Sequence, residues 1–188
     1  MKDPYLGPCP TLGACRPDIR LQLEKGDHIF VISGRLPEVS QFVMAGFEID
    51  SKIPAIEAYR LFPDLRLRRR EDGQLTGNII VDAAGKQHEL DNHTSFDSRI
   101  KNYVIGKNLI VLATPDEVAA GRRQTLDALR DILHRNGQRP VDVVGRWGTR
   151  LTERQVIQLR EWLVGLKTAS NQRWRSRERG LGIGAQGE

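Results

Sequence analysis

The amino-acid sequence predicts an α+β protein, in which a small barrel or highly curved sheet of about five or six short strands is followed by packed helices. Two observations predict this class. Segments rich in β-branched and aromatic residues, bounded by turn-forming residues, recur through residues 28–112, and segments with helical spacing follow from Thr114 onwards. The length of 188 residues is sufficient to bury a substantial core.

Short apolar segments predict the strands, and turn-forming connections predict how they pair. Residues 34–40 and 83–86 are connections short enough for hairpins, so the strands on either side of each are expected to be antiparallel neighbours. The predicted strands are, in chain order, Ile29–Ser33, Gln41–Ile49, Asn78–Asp82, Gln87–Leu90, Tyr103–Ile105 and Leu109–Leu112.

Boundary residues predict the helices. Pro54 suits the first turn of a helix and Pro63 ends it, with Ile56, Tyr59 and Phe62 as the apolar face. Two later segments begin with a capping box, in which a Thr side chain and a Glu or Gln three residues later satisfy free amide groups. These pairs are Thr114 with Glu117, in a helix predicted to end at Asn136-Gly137, and Thr152 with Gln155.

The apolar stripe of the last helix ends at Leu166, and the residues that follow are basic and rich in glycine. Such a composition buries too little apolar surface to order itself. We therefore predict one domain over residues 1–166 and a basic, disordered tail over residues 167–188, which contains Arg173, Arg175, Arg177 and Arg179.

Composition narrows the class of protein. The net charge of +5 and the isoelectric point near 9.5 permit a nucleic-acid partner without requiring one. No apolar run approaches the roughly 18 residues of a membrane span, so no membrane partner is expected and the cytoplasm is the predicted location. Two cysteines give no disulfide framework and are expected to be reduced thiols there.

The segment before the first strand is a loop dense in Pro, Gly and Cys, here called the Pro/Cys loop (residues 4–20). Its prolines restrict φ and its glycines permit unusual φ values, a combination that favours one defined shape over a solvated linker. Because it also carries Tyr5, two cysteines and alternating Arg and Asp residues, we interpret it as the wall of a binding site.

Several sequence blocks together resemble the nucleotide modification associated domain family of the second type. They are Pro4-Tyr5 with Gly7-Pro8-Cys9-Pro10, Leu12 to Pro17 with Ile19-Arg20, Gly26-Asp27, Gly77 to Asp82, and Asp91-Asn92-His93 before Tyr103 to Gly106. The resemblance covers about residues 3–166 and implies a link with DNA modification, and with the DNA-modification machinery as a partner. Gly26-Asp27 and the segment Phe42 to Phe47 are also similar to the opening of PUA-like barrels of the EVE, ASCH and YTH groups, which implies a base-binding pocket beside the first strands.

Side chains of the Pro/Cys loop are candidates for nucleotide binding. Arg16, Asp18 and Arg20 alternate, so in an extended segment both guanidinium groups would lie on one side and could recognise phosphate or a base edge. The alternative is an internal set of ion pairs that ties the loop to the barrel. Tyr5, and Trp147 in the glycine-flanked segment Gly145 to Gly148, are candidates for stacking on a base.

Asp91, Asn92 and His93 follow a predicted strand, and all three side chains can form hydrogen bonds to a base edge. The alternative is a turn in which Asn92 adopts a positive φ. His93 adds a titratable group that such a turn does not need. We therefore include Asn92 and His93 among the nucleotide-binding candidates.

The cysteines raise two further alternatives. A Cys15 thiolate beside Arg16, with His93 or Asp91 in acid–base roles, would outline nucleophilic catalysis. Zinc bound by Cys9, Cys15, His88 and His93 would need ligands gathered without a Cys-x-x-Cys knuckle, so no metal and no cofactor is predicted. Buried thiols that pack the loop, and a structural role for His88, are the alternatives to both.

The densest positive run, Arg66-Leu67-Arg68-Arg69-Arg70, is followed by Glu71-Asp72. Arg66, Arg68, Arg69 and Arg70 are candidates for phosphate contacts, although such a run is also typical of a solvated surface. Taken together, the sequence predicts a binding module that recognises a nucleotide or modified base and is linked to DNA modification, with DNA favoured as the nucleic acid and RNA left open. The alternatives are an enzyme that acts on a nucleotide or nucleobase through Cys15, Asp91 or His93, and a structural partner within a modification complex.

Overall fold

The described strands lie between residues 11 and 111, and helices dominate from Pro115 onwards. The computed structural model describes the backbone of residues 3–181 and the side chains of residues 3–169. The strands are β1 (Thr11–Leu12), β2 (His28–Ile32), β3 (Val43–Ile53), β4 (Arg68–Arg69), β5 (Leu75–Thr76) and β6 (Tyr103–Val111). The helices are α1 (Pro17–Gln22), α2 (Ala55–Leu61), α3 (Phe96–Arg99), α4 (Pro115–Leu133), α5 (Pro140–Val144) and α6 (Glu153–Leu181), with a short 3-10 helix at Pro63–Leu65.

The main sheet is antiparallel and has the strand order β1–β6–β3–β2. The register between β1 and β6 places Thr11 opposite Ile105 and Leu12 opposite Val104. Strands β4 and β5 form a separate two-stranded ribbon. The predicted α+β class is therefore confirmed.

The chain divides into two compact units. Unit 1 comprises Met1–Ile29 and Phe47–Leu109, and unit 2 comprises Phe30–Gly46 and Ile110–Glu188. The core of unit 1 is built from buried side chains of α2, the 3-10 helix, residues 79–81 and β6: Ala55, Ala58, Leu65, Ile79, Val81 and Tyr103. The core of unit 2 joins α4, α5 and α6 to Phe42 and to Val43 at the start of β3.

Both predicted capping boxes are present in unit 2. Thr114 and Glu117 exchange side-chain and backbone hydrogen bonds at the start of α4, and Thr152 and Gln155 do the same before α6. These motifs are local, which is why the sequence identifies them reliably. Helix α4 ends earlier than predicted, because His134 adopts a left-handed conformation (φ 51°) directly after Leu133.

Some predicted elements differ. The two strands expected at residues 103–105 and 109–112 are one strand, β6, which runs through the polar Lys107 and Asn108. The hairpin expected at residues 78–90 is reduced to a single bridge between Val81 and Gln87.

The last helix also differs from the prediction, since α6 continues past Lys167 to Leu181 where an irregular tail was expected. The part of the predicted tail at residues 182–188 lies outside the described residues. The domain limits 1–166 and 167–188 stay a prediction.

Candidate functional site

The Pro/Cys loop is held in shape by one buried carboxylate, that of Asp3. It accepts hydrogen bonds from the backbone N–H groups of Gly13 (2.8 Å), Ala14 (3.0 Å) and Cys15. The side-chain amide of Asn78 adds a fourth donor at 3.1 Å. Burial raises the pKa of Asp3, although these donors and the charge of Arg20 oppose that rise. The loop therefore has a defined shape because its own amide groups converge on a single acceptor.

Asn78 connects this carboxylate to the core of unit 1. Its amide donates to Thr11 Oγ1 at 2.9 Å, and the Tyr103 hydroxyl donates to Asn78 Oδ1 at 2.8 Å. Asn78, Thr11 and Tyr103 are fully buried, so each of these hydrogen bonds satisfies a group that water cannot reach. Burial also raises the pKa of the Tyr103 hydroxyl. This network was not predicted, because the sequence offers only two local signals for it: Asp3 before Pro4 and Asn78 after Gly77.

Arg20 and Arg99 join the Pro/Cys loop to the segment that follows His93. Arg20 donates to the backbone carbonyls of Cys15 (3.0 Å), Asn102 (2.7 Å) and Arg99 (2.9 Å). Arg99 donates to the carbonyls of Ala14 (2.7 Å) and Thr94 (3.0 Å). The Pro/Cys loop is thus connected, within unit 1, to residues 94–102, which directly follow the Asp91-Asn92-His93 segment.

The position of Arg20 favours the structural interpretation of that residue. Its side chain is 0% exposed, and burial lowers its pKa, opposed by the charge of Asp3. A guanidinium group that is buried and donates to three carbonyls has few donors left for a ligand. Arg20 therefore ties the loop in place, as the alternative interpretation expected, but through carbonyl groups rather than ion pairs.

Arg16 and Asp18 lie on the surface and bond to each other. Arg16 Nη2 is 2.8 Å from Asp18 Oδ2, and this contact raises the pKa of Arg16 and lowers that of Asp18. The backbone is left-handed at Arg16 (φ 51°) and helical from Pro17. The extended geometry that would place Arg16 and Arg20 on one side is therefore not present.

The two stacking candidates lie in different units. Tyr5 is half-buried and packs against the core of unit 1, while its backbone pairs with that of Thr11. Trp147 belongs to unit 2 and its side chain is 70% exposed.

Asp91 and His93 form an oriented pair. Asp91 Oδ1 contacts His93 Nδ1 at 2.5 Å, and Gln87 Nε2 donates to Asp91 Oδ2 at 2.8 Å. The Asp91 side chain is 0% exposed and that of His93 is 25% exposed. A buried carboxylate on Nδ1 orients the imidazole and leaves Nε2 as the nitrogen that a ligand can reach. Asn92, between them, is exposed.

The environment of Cys15 does not favour a thiolate. Burial and the neighbouring Asp3 carboxylate raise its pKa to about 11, although Arg99 and Arg20 oppose the shift. Burial and Asp50 also raise the pKa of Cys9. A nucleophilic thiol needs the opposite shift, so the charges around Cys15 argue against that role. His88 instead has a local role, since its Nδ1 accepts a hydrogen bond from the N–H of Leu90 at 3.1 Å.

The predicted phosphate-contact residues divide into two kinds. Arg66 is half-buried: its guanidinium carbon lies 4.0 Å from the centroid of the Tyr59 ring, and its Nε donates to the Tyr59 carbonyl. Arg68, Arg69 and Arg70 are exposed on and beside β4. Arg69 donates to the Gly73 carbonyl at 2.8 Å, so this ribbon presents its arginines on a connection of defined shape.

Comparisons of the chain with protein-family models, with curated proteins and with solved structures find no match. Within residues 3–181, no helix is long and apolar enough to cross a membrane. Across the part of the chain that the structure describes, no three His, Cys, Asp or Glu residues are grouped so that they could hold a metal ion.

Proposed function

We propose that this protein binds a nucleotide or modified base in DNA through unit 1, as a PUA-like recognition module associated with DNA modification. The observation that carries the proposal is the segment Asp91-Asn92-His93. It presents an exposed amide next to an imidazole that a buried carboxylate orients.

The chemistry of this segment suits a base edge. The Asn92 side-chain amide has an NH2 group that donates and a carbonyl oxygen that accepts, and both groups can pair with one base edge at the same time. His93 adds a ring nitrogen whose direction is restricted, because Asp91 holds the opposite side of the ring. Restricting a recognition group before binding lowers the entropy cost of the complex.

The surroundings support recognition in a nucleic acid. Arg99 and Arg20 hold residues 94–102 against the Pro/Cys loop, and these hydrogen bonds stabilise the segment that follows Asp91-Asn92-His93. The exposed ribbon with Arg68, Arg69 and Arg70 provides positive charge for phosphate contacts. Base contacts would then supply specificity, and phosphate contacts would supply affinity that does not depend on sequence.

Fluorescence anisotropy with labelled DNA tests this division of roles. The probes are duplexes of one sequence that carry cytosine, adenine or their methylated forms. We expect Asn92→Ala and His93→Ala to reduce the preference between probes about tenfold. Thr94→Ala, an exposed neighbour, is the control and should change neither affinity nor preference.

The triple variant Arg68→Gln, Arg69→Gln, Arg70→Gln should weaken all probes equally and reduce the dependence of affinity on salt. If the arginine variant changed the preference between bases while Asn92→Ala weakened all probes alike, the proposed division would be wrong. Absence of binding to every probe would refute the function.

A second candidate function rests on the Asp91–His93 pair itself. An imidazole with its Nδ1 held by a buried carboxylate is the geometry of a general base, so the pair could activate water or a hydroxyl group on a bound nucleotide. The raised pKa of Cys15 favours this role for His93 over thiol catalysis.

Mass spectrometry of nucleotides and methylated oligonucleotides after incubation with the protein tests for turnover. An enzyme of this kind should lose its activity in His93→Ala and in Asp91→Asn, and keep it in Cys15→Ser. If Cys15→Ser were inactive and His93→Ala active, the assignment of the base would be refuted.

A further inference from the structure

A tight turn in unit 2 presents a large aromatic ring to solvent. The N–H of Gly148 donates to the carbonyl of Gly145 at 3.1 Å, so Arg146 and Trp147 occupy the two central positions of a hydrogen-bonded β-turn. All four residues are exposed, and the Trp147 side chain is 70% exposed. A ring of this size at a turn contributes little to the core of unit 2.

The turn is built on a rigid base. Gly145 and Gly148 both adopt positive φ (79° and 84°), which other residues adopt only with strain. Arg135, which follows α4, donates to Thr149 Oγ1 at 3.0 Å and to the carbonyl of the buried Val143 at 3.4 Å. The position of Trp147 is therefore restricted from both ends of the turn, as expected for a contact residue rather than a loose loop tip.

The charge around Trp147 is positive. The guanidinium carbon of Arg146 lies 5.4 Å from the centroid of the Trp147 ring, and Arg150 is also exposed. Of the acidic residues nearest along the chain, Asp142 is paired with Arg139 at 2.7 Å and Glu153 lies at the start of α6. Residues 145–150 contain no apolar side chain apart from Trp147. Large contiguous apolar patches mark protein-binding sites, whereas one aromatic ring beside arginines suits a base that stacks on the ring and a phosphate that contacts the positive charge.

We propose that the Arg146–Trp147 turn is a second nucleic-acid contact, which stacks on an unpaired base of single-stranded DNA while Arg146 and Arg150 contact the adjacent phosphates. The ligand is single-stranded because the faces of bases inside a duplex are covered by their neighbours. This inference rests on the proposed function for the class of ligand, but on different residues and a different unit of the chain.

The test measures binding of the full chain to three fluorescein-labelled probes: oligothymidylate, the same strand with abasic sites, and a duplex of equal length. We expect Trp147→Ala to weaken binding of oligothymidylate about tenfold, the amount typical for loss of one base–aromatic stack. Trp147→Phe should retain most of the affinity. Leu36→Ala, which removes another exposed apolar side chain of unit 2, is the matched control and should have no effect.

The probes separate stacking from charge. Trp147→Ala should leave binding of the abasic strand and the duplex unchanged, whereas Arg146→Gln should weaken both single strands. Equal binding of oligothymidylate by Trp147→Ala and the wild type would overturn the inference. So would a change from dimer to monomer in Trp147→Ala on size exclusion, since that would make the ring a contact between copies of the chain.

The outcome also separates this inference from the proposed function. Loss of base preference in Asn92→Ala, with no effect of Trp147→Ala, would refute the turn and keep the function of unit 1. The reverse result would keep the turn and refute the function of unit 1. No binding of any probe by the wild type would overturn both.

Discussion

Replacement of Asp3 by Ala tests whether one carboxylate holds the Pro/Cys loop in shape. The substitution removes the acceptor of three backbone N–H groups and of the Asn78 amide. Ala14 and Asn78 are fully buried, so their donors would have no ready access to water. We therefore expect a large loss of stability although residue 3 contributes no apolar contact.

The magnitude follows from the number of donors left without a partner. Each buried donor that loses its acceptor costs about 1–3 kcal/mol. Cys15 is half-buried, so water can replace part of the loss at that amide. We expect Asp3→Ala to lower the free energy of unfolding by about 3–5 kcal/mol, a value below the full sum for that reason. Asp18→Ala, which breaks an exposed ion pair, should cost no more than about 1 kcal/mol.

Urea denaturation followed by circular dichroism gives the free energy of unfolding of both variants. Hydrogen exchange at the amides of Gly13, Ala14 and Cys15 then reports the loop directly, and these amides should lose their protection in Asp3→Ala. If Asp3→Ala and Asp18→Ala were equally stable, or if the three amides stayed protected, the carboxylate would not be what orders the loop.

Three further predictions concern other parts of the chain. Since the pKa of Cys15 is raised to about 11, alkylation of this thiol should be slow at neutral pH, and the alkylation rate should keep rising above pH ~9, where an ordinary thiol is already ionised. An alkylation rate that levels off near neutral pH would contradict this. Burial alone would raise the pKa of Glu117, but the N–H groups of Ala113 and Thr114 together with Lys167 lower it. The ionised carboxylate therefore stabilises the fold above its ordinary pKa, and this contribution is lost as the pH falls through the lowered pKa. In urea denaturation, Glu117→Gln should be about 1–3 kcal/mol less stable than the wild type at neutral pH, with a smaller difference at strongly acidic pH. A chain that ends at Ala169 keeps the contact of Lys167 with Glu117, so its free energy of unfolding should change by no more than about 0.5 kcal/mol, and a large drop in melting temperature would refute this. Its affinity for DNA at low salt should fall because four arginines are removed, and an unchanged affinity across a salt series would refute that expectation.

Local signals in the sequence identified local structure. The capping boxes at Thr114 and Thr152 are correct because every hydrogen bond in them joins residues no more than three positions apart. The polar pair Lys107-Asn108 led to two predicted strands where there is one. The carboxylates of Glu48 and Asp50 on β3 bond to these residues, and Asn108 adopts a positive φ of 53° within β6. Whether such polar residues belong to a strand depends on contacts with the neighbouring strand, and the sequence alone does not show which residues of that strand are opposite.

The same distinction applies to the candidate site. The motif Asp91-Asn92-His93 was visible in the sequence because its residues are adjacent. The roles of Arg16 and Arg20 could not be separated, since both are arginines near Pro17, and only the fold makes Arg20 completely buried while Arg16 remains at the surface. Asp3, Asn78 and Arg99 were missed because the partners that join them to other segments lie between 10 and 85 positions away.

The spacing of these partners affects how the protein folds. Asp3 meets the amides of residues 13–15 within a short stretch of chain, but its other partner, Asn78, is 75 positions away. The Asn102 carbonyl, which accepts a hydrogen bond from Arg20, is 82 positions after Arg20. Contacts so distant along the chain form late, because the entropy of closing long loops has to be overcome first. During synthesis on the ribosome, the Pro/Cys loop leaves the exit tunnel before Asn78 and Asn102, yet it acquires its final shape only once Asn102 has also emerged.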